Sequence, residues 1–187
     1  MLQEINDHVS KGAFKKVAES RPSASVVVRP EEQPIGLEST IEKVWHCIVD
    51  KDVGIIGLYG LGGVGKTTLL TQINNKFSTT ADKFDVVIWA LVSKDYNVEK
   101  IQDKMGGNIG FRDTSWKSKS VDEKAVDIYG VLRNKRFVVL LDDLWERVCG
   151  EMEARKRIKV ECLEPEKAWE LFQAKVGDET LNSHPNI

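Results

Sequence analysis

Gly60-Leu61-Gly62-Gly63-Val64-Gly65-Lys66-Thr67-Thr68 fits the pattern G-x-x-x-x-G-K-[ST]. Closely spaced glycines let a backbone curl until successive N–H groups point inward at phosphate oxygens. A helix starting at Lys66 adds the positive end of its dipole to the same spot. Lys66 is then placed to reach the β-phosphate of a nucleotide, and the γ-phosphate where there is one. Thr67 offers its hydroxyl to Mg²⁺, and Thr68 helps hold the α-phosphate. The flanks agree with this reading. Ile55-Ile56-Gly57-Leu58-Tyr59 is a short apolar strand, and Leu69, Leu70, Ile73 and Phe77 follow at helical spacing. Strand, glycine loop and helix in that order are what an anion site at a helix N-terminus requires.

Downstream, Phe137-Val138-Val139-Leu140-Leu141-Asp142-Asp143 is an apolar strand ending in two acids. In open parallel sheets the carboxyl ends of the strands face the ligand. Asp142 would hold Mg²⁺ through water, since hard cations prefer oxygen ligands. Asp143 is the catalytic candidate, placed to orient an attacking water. Phe84 to Val92 is the longest strand candidate, and Ile158 to Leu163 is a weaker one. The apolar runs do not alternate, so they are expected to be buried on both faces, as in a parallel sheet covered by helices.

Between the strands lie helical patterns. Ser39 with Glu42 reads as a capping box before Ile41, Val44, Trp45 and Ile48. Val98, Ile101 and Met105 suggest a helix that Gly106-Gly107 should break, at about 1 kcal/mol per glycine. Ser120 with Glu123 is a second capping box, continued by Ala125, Ile128, Tyr129 and Leu132. Pro165 to Val176 reads as a helix with proline in its first turn and Gly177 at its C-cap. The expected fold class is α/β, a P-loop NTPase-like three-layer sandwich around a parallel sheet, preceded by a short helix and a linker. Trp89 and Trp169 are read as core residues rather than stacking platforms. Arg155, Lys156 and Arg157 are read as a solvated face. His8, His46 and His184 are scattered and suggest no role.

Residues 1–20 carry Leu2, Ile5 and Val9 at helical spacing, with Phe14 and Val17 beyond Gly12. Residues 21–34 contain Pro22, Pro30 and Pro34 and read as an extended linker. A new unit starts at Ile35-Gly36-Leu37-Glu38. The 187 residues suit one domain with a single core. A net charge of −2 argues against a nucleic-acid surface. Cys47, Cys149 and Cys162 have no metal spacing and no disulfide pattern, so a reducing compartment is expected. Met1 to Asp7 lacks a signal-peptide core, and no apolar run has the length of a membrane segment. The expectation is a cytoplasmic protein.

Four stretches together carry a family resemblance: Gly57 to Thr68, Phe84 to Lys94, Lys135 to Trp145 and Cys162 to Val176. In this order they resemble the NB-ARC nucleotide-binding domain of plant disease-resistance receptors of the NBS-LRR type, closest to the coiled-coil subclass. The resemblance runs from about Ile35 to the end. It gives residues 35–187 as a partial NB-ARC domain and residues 1–20 as the helical tail of a coiled-coil region. It implies a switch in which ADP holds an off state and exchange for ATP permits signalling. Gly60, Gly62, Gly63, Gly65, Lys66, Thr67 and Thr68 match the family's phosphate loop. Thr67 and Asp142 match its Mg²⁺ positions, Asp143 its hydrolysis position, and Ile35 and Gly36 the segment that contacts the base. The implied partners are an adenine nucleotide, other receptor domains and guarded host proteins.

The departures are equally specific. The family has a strand ending in Thr-Thr-Arg after the second acidic motif, and its Arg senses the γ-phosphate. Here Trp145-Glu146-Arg147 runs directly into Val148-Cys149-Gly150-Glu151-Met152, and Thr-Thr-Arg occurs nowhere. At most slow ATP hydrolysis is therefore expected. Loss of that strand should leave an open edge on Ile55 to Tyr59 or draw the Ile158 to Leu163 strand into the place. Residues 146–157 are barely the dozen that a parallel crossover needs, so a strained or incomplete sheet is expected. The chain has the pattern of a truncated or alternatively spliced product, or of a mis-predicted gene model. Two other readings stand beside the switch. A working ATPase or small-molecule kinase would need a lid and an acid–base set that the sequence does not offer. A non-binding interaction module would act on full-length receptors.

Overall fold

The computed structural model describes residues 26–31, 34–80, 84–92, 97–144 and 152–177. The helix expected over residues 1–20 and Pro22 of the linker lie outside these residues. The described elements are α1 (Glu38–Val49), β1 (Ile56–Tyr59), α2 (Lys66–Thr79), β2 (Val86–Leu91), α3 (Val98–Ile109), α4 (Thr114–Lys117), α5 (Val121–Leu132), β3 (Phe137–Asp142), β4 (Lys156–Lys159) and α6 (Pro165–Val176).

All strand pairing among them is parallel. β2 pairs with β3 from Val86↔Phe137 to Leu91↔Asp142, and β1 pairs with β4 from Ile56↔Lys156 to Tyr59↔Lys159. No hydrogen-bonded pairing joins β1 to β3, so the sheet stands in two halves. The expected incompleteness is present. β4 pairs with one side of β1, and the other edge of β1 carries no strand among the described residues; β4 starts two residues earlier than the Ile158 to Leu163 run and ends at Lys159. Beyond the paired positions the Val160 N–H donates to the Tyr59 carbonyl at 2.7 Å and the Lys156 N–H to the Ile55 carbonyl at 3.5 Å.

Alternation along β2 separates two cores. Val87 and Trp89 join Leu37, Ile41, Val44 and Trp45 of the α1 region, Leu69, Ile73 and Phe77 of α2, Leu140 of β3, and Val160. Val86, one residue out of phase, packs with Trp116, Ile128, Leu132, Met105 and Phe111 on the other face. Helices therefore cover both faces, which is the three-layer arrangement. Trp89 is buried as expected.

Three local expectations need correction. α1 does not begin with a capping box. Its N-cap is Leu37, no side chain caps it, and Ser39 already lies within the helix. Burial of Leu37 at 6% exposure sets the entry, and Glu42 instead pairs with Lys76 at 2.7 Å. Second, Gly106-Gly107 does not break α3, which runs on to Ile109 and ends at Gly110 in a left-handed conformation. A Cβ on Gly106 would lie 2.5 Å from the Trp116 ring, so this glycine lets the indole lie against the helix. Third, Trp169 is 47% exposed and stacks on Phe172 rather than entering a core. α6 buries none of its residues, so its apolar pair stays on the surface. Pro165 and Gly177 do bound that helix as expected.

The flank made by α3, α4 and α5 is strongly specified. The Ser120–Glu123 capping box is present with both of its bonds. Lys124, only 1% exposed, reaches Glu99 and Asp103, each at 2.9 Å. Hydrogen bonds to Glu99 and Asp103 raise the Lys124 ammonium above its usual range. The bond from Lys124, followed by that from the Trp116 indole, holds Asp103 below the usual aspartate range. Arg155, Lys156 and Arg157 are exposed, as expected of a solvated face.

Candidate phosphate-binding site

The glycine loop between β1 and α2 is shaped by backbone conformations that side chains rarely adopt. Gly60, Gly63 and Gly65 have φ of 154°, 79° and 94°. Gly60 also has no room, because a Cβ there would meet the Val160 carbonyl oxygen at 2.4 Å. Gly65 is the N-cap of α2, and its missing side chain leaves space for Leu37. Above Gly62 and Gly63 nothing lies within 4 Å of a built Cβ, so that side of the loop is open.

α2 opens with Lys66, Thr67 and Thr68, whose N–H groups belong to a first turn with no intrahelical acceptor. Thr67 and Thr68 are exposed. Lys66 Nζ folds back over the loop and donates to the carbonyls of Gly60 at 2.9 Å and Leu61 at 2.6 Å. An incoming phosphate would offer the ammonium a charged acceptor in place of two neutral ones, and charge-assisted hydrogen bonds are about twice as strong.

Asp142 ends β3 and is only 6% exposed. Its Oδ1 accepts from the Thr67 hydroxyl at 3.0 Å and from the Asp143 N–H at 3.0 Å. The first of these bonds ties the half-sheet of β3 to the loop carried by β1. Asp143 is exposed and has φ of 61°, a left-handed conformation that Asp tolerates better than most residues. A hydroxyl and a carboxylate at hydrogen-bonding distance are a hard-oxygen donor pair and fit Mg²⁺. No cluster of three or more metal-ligating side chains exists among the described residues. An Mg²⁺ here would take its other ligands from phosphate and water, as is usual for this ion.

The Ile35-Gly36-Leu37 turn lies beside the loop. Leu37 packs against Gly65, and Gly36 (φ 75°) leaves space for Leu163 and for the Cβ and Cγ of Lys167 in the first turn of α6. The chain thus gathers the segment before α1, the glycine loop and the start of α6. A cleft of about 1310 Å³ runs from Gly62, Lys66 and Asp142 back between Ile55–Leu58 and Phe137–Leu141. Sequence reasoning missed Val160, whose carbonyl backs Gly60 of the loop, and, farther along α2, the buried Asn74 and Asn75. Two adjacent asparagines in an otherwise amphipathic helix were a visible signal for the latter.

A glycine loop wrapped at a helix N-terminus, tied to a strand-end carboxylate, is how a P-loop nucleotide-binding domain is made. The sequence profile of the NB-ARC domain matches residues 37–148 and again 146–182. The chain belongs to the NB-ARC domain family. It is 42% identical over its full length to disease resistance protein RFL1 of Arabidopsis thaliana, of which it spans 24%. It is 43% identical to disease resistance protein RPS5 of the same plant, again spanning 24%. A probable disease resistance protein of that species is 41% identical, and the chain spans 59% of it. The chain therefore spans about a quarter of the length of most of these relatives. No helix among the described residues is long and apolar enough to cross a membrane.

Proposed function

We propose that this chain is the ADP- and ATP-binding switch module of a plant immune receptor of the coiled-coil subclass. ADP holds the off state and exchange for ATP permits signalling. The observation that carries this reading is the Thr67–Asp142 hydrogen bond, which joins the mouth of the glycine loop to the end of β3. Gly60, Gly62, Gly63, Gly65 and the first-turn N–H groups of α2 bind the phosphates. Lys66 neutralises their charge, Thr68 holds the α-phosphate, and Ile35 and Gly36 meet the adenine. Thr67 and Asp142 hold Mg²⁺, which supplies positive charge to the phosphate oxygens. Asp143 orients water, and turnover is at most slow because the Thr-Thr-Arg strand is lacking.

In this reading residues 35–187 are the NB-ARC unit, residues 21–34 the linker and residues 1–20 the end of a coiled-coil region. The module works in the cytoplasm with other receptor domains or guarded host proteins. It is internally shortened. Two facts support the shortening. The family profile matches in two pieces that meet at residues 146–148. Alignments with RFL1 and RPS5 also extend over 215 positions against 187 residues here, so the relatives have residues opposite gaps in this chain.

Isothermal titration with Mg²⁺-ADP tests the reading. Wild type should bind, and Lys66→Ala should weaken binding by about 10- to 100-fold, the worth of charge-assisted bonds to phosphate. No binding by a folded wild type would overturn it. The divided sheet favours one second reading, an interaction module that binds no nucleotide and acts on full-length receptors. That result would support it.

A further inference from the structure

Residues 26–31 lie against α2, and two adjacent asparagines hold them there. Asn75 uses its whole carboxamide. Its Oδ1 accepts from the Arg29 N–H at 2.9 Å, and its Nδ2 donates to the Arg29 carbonyl at 2.8 Å and to Glu31 Oε2 at 2.6 Å. Asn74 Nδ2 donates to the Val27 carbonyl at 3.0 Å and to Asn75 Oδ1 at 3.1 Å. Both asparagines are buried, at 3% and 8% exposure. The carboxamides thus serve as the edge of a neighbouring strand, bonding backbone groups two residues apart. Pro30 favours this arrangement, since the residue before a proline is biased to extended conformations. Two side chains add specificity. The Arg29 guanidinium lies 3.9 Å from the centre of the Trp89 ring, and Val26 packs against the core.

The same helix begins at the phosphate loop. Asn74 and Asn75 follow Lys66 by little more than two turns, about 13 Å along the axis. Leu69, Ile73 and Phe77 fix the core face of α2, whereas its N-terminal mount is the glycine loop with open space above Gly62 and Gly63. An anion bound by the first turn would restrict that mount. A strap docking onto an already restricted helix loses less conformational freedom, so the two events favour one another.

We propose that residues 26–31 are a strap coupled to the phosphate site through α2: nucleotide tightens the strap, and the strap tightens nucleotide. The proposal rests on the nucleotide-binding reading above and adds its regulation. By linkage the factor is the same in both directions. The strap stands where the chain enters from residues 1–25, so nucleotide occupancy controls how closely the preceding region is held to the domain.

The test combines amide exchange by NMR with titration on the full chain. The Arg29 N–H is the direct reporter, because it bonds to Asn75. Saturating Mg²⁺-ADP should slow its exchange by about fivefold or more, the lower end of typical coupling factors. Arg29→Ala, which removes the strap's contact with the Trp89 ring and keeps its backbone bonds, and Asn75→Ala should weaken Mg²⁺-ADP by a similar factor. Normal binding with unchanged Arg29 exchange and undiminished affinity in Arg29→Ala would overturn the strap proposal alone. No binding by the folded wild type would overturn the nucleotide reading and the coupling together. Arg29→Ala keeps the test decisive if Asn75→Ala does not fold.

Discussion

β2 and β3 pair over six positions, and four of the six β2 residues, Val87 to Ala90, are fully buried. β1 and β4 pair over four positions, neither strand has a fully buried residue, and β4 reads Lys-Arg-Ile-Lys. The first half-sheet is held by side-chain burial on both faces. The second is held by backbone bonds, by buried Val160 and by the close approach of Gly60 to the Val160 carbonyl. The glycine loop thus rides on the less deeply buried half, and Asp142 reaches across from the firmer one. Regions with few buried apolar contacts open at lower free energy. A binding loop on such a mount can be reshaped by its ligand without unfolding the domain.

The largest expected effect separates the halves directly. Leu140→Ala in β3 should cost about 3 kcal/mol, and Ile158→Ala in β4, only half buried, about 1 kcal/mol. Urea unfolding of both variants measures this, and equal losses would break the comparison. Next, Gly60→Ala should cost about 2 kcal/mol through backbone strain and contact with Val160. The loss should appear as faster exchange of the Val160 amide, with the β2–β3 amides unchanged. Uniform loosening of both half-sheets would contradict the independence argued here.

Smaller effects sharpen the picture of the firm side. Gly106→Ala should destabilise by about 1–2 kcal/mol, because its Cβ meets the Trp116 ring. Gly107→Ala, with nothing within 4 Å, should stabilise by about 0.5–1 kcal/mol. Thermal melts of the pair decide whether Trp116 is what makes one glycine necessary. The smallest effect is in acid. Asp103 is held low chiefly by its bond from Lys124, so its contribution is complete above its unfolded value of about 3.9. It is lost as pH falls below that, through the depressed folded value. In Lys124→Met the acid-side loss should shrink, read as a shallower fall of melting temperature below about pH 4. An unchanged profile would remove Asp103 from the account.

The glycine loop, the strand-end acids and most helices were legible because each rests on local chemistry. Gly60 to Thr68 carries its own geometry, and Ser120 with Glu123 finds both partners within one turn. Where the sequence misled, packing decided. Ser39 lost its cap to the burial of Leu37, and Gly106 stayed helical because Trp116, ten residues on, lies against it. Trp169 has the composition of a core residue, yet α6 finds no cover among the described residues. The open edge on β1 was one of the two outcomes expected from the lack of a Thr-Thr-Arg motif. The gap between β1 and β3 depends on how two paired units meet, which no single stretch encodes. Asn74 and Asn75 were visible as letters, but their meaning needed Arg29, 46 residues away.

The Asn75 clamp also sets a mechanical order. A pull on the chain from its N-terminal side would reach Val27, Arg29 and Glu31 before any strand among the described residues. Those bonds are few and lie ahead of both half-sheets along the line of tension. Under force the strap would peel first and lengthen the tether, leaving β1, the glycine loop and α2 in place. The domain would then bear such a pull with a slack length already stored in it, and the phosphate loop would feel the load only after that length had been drawn out.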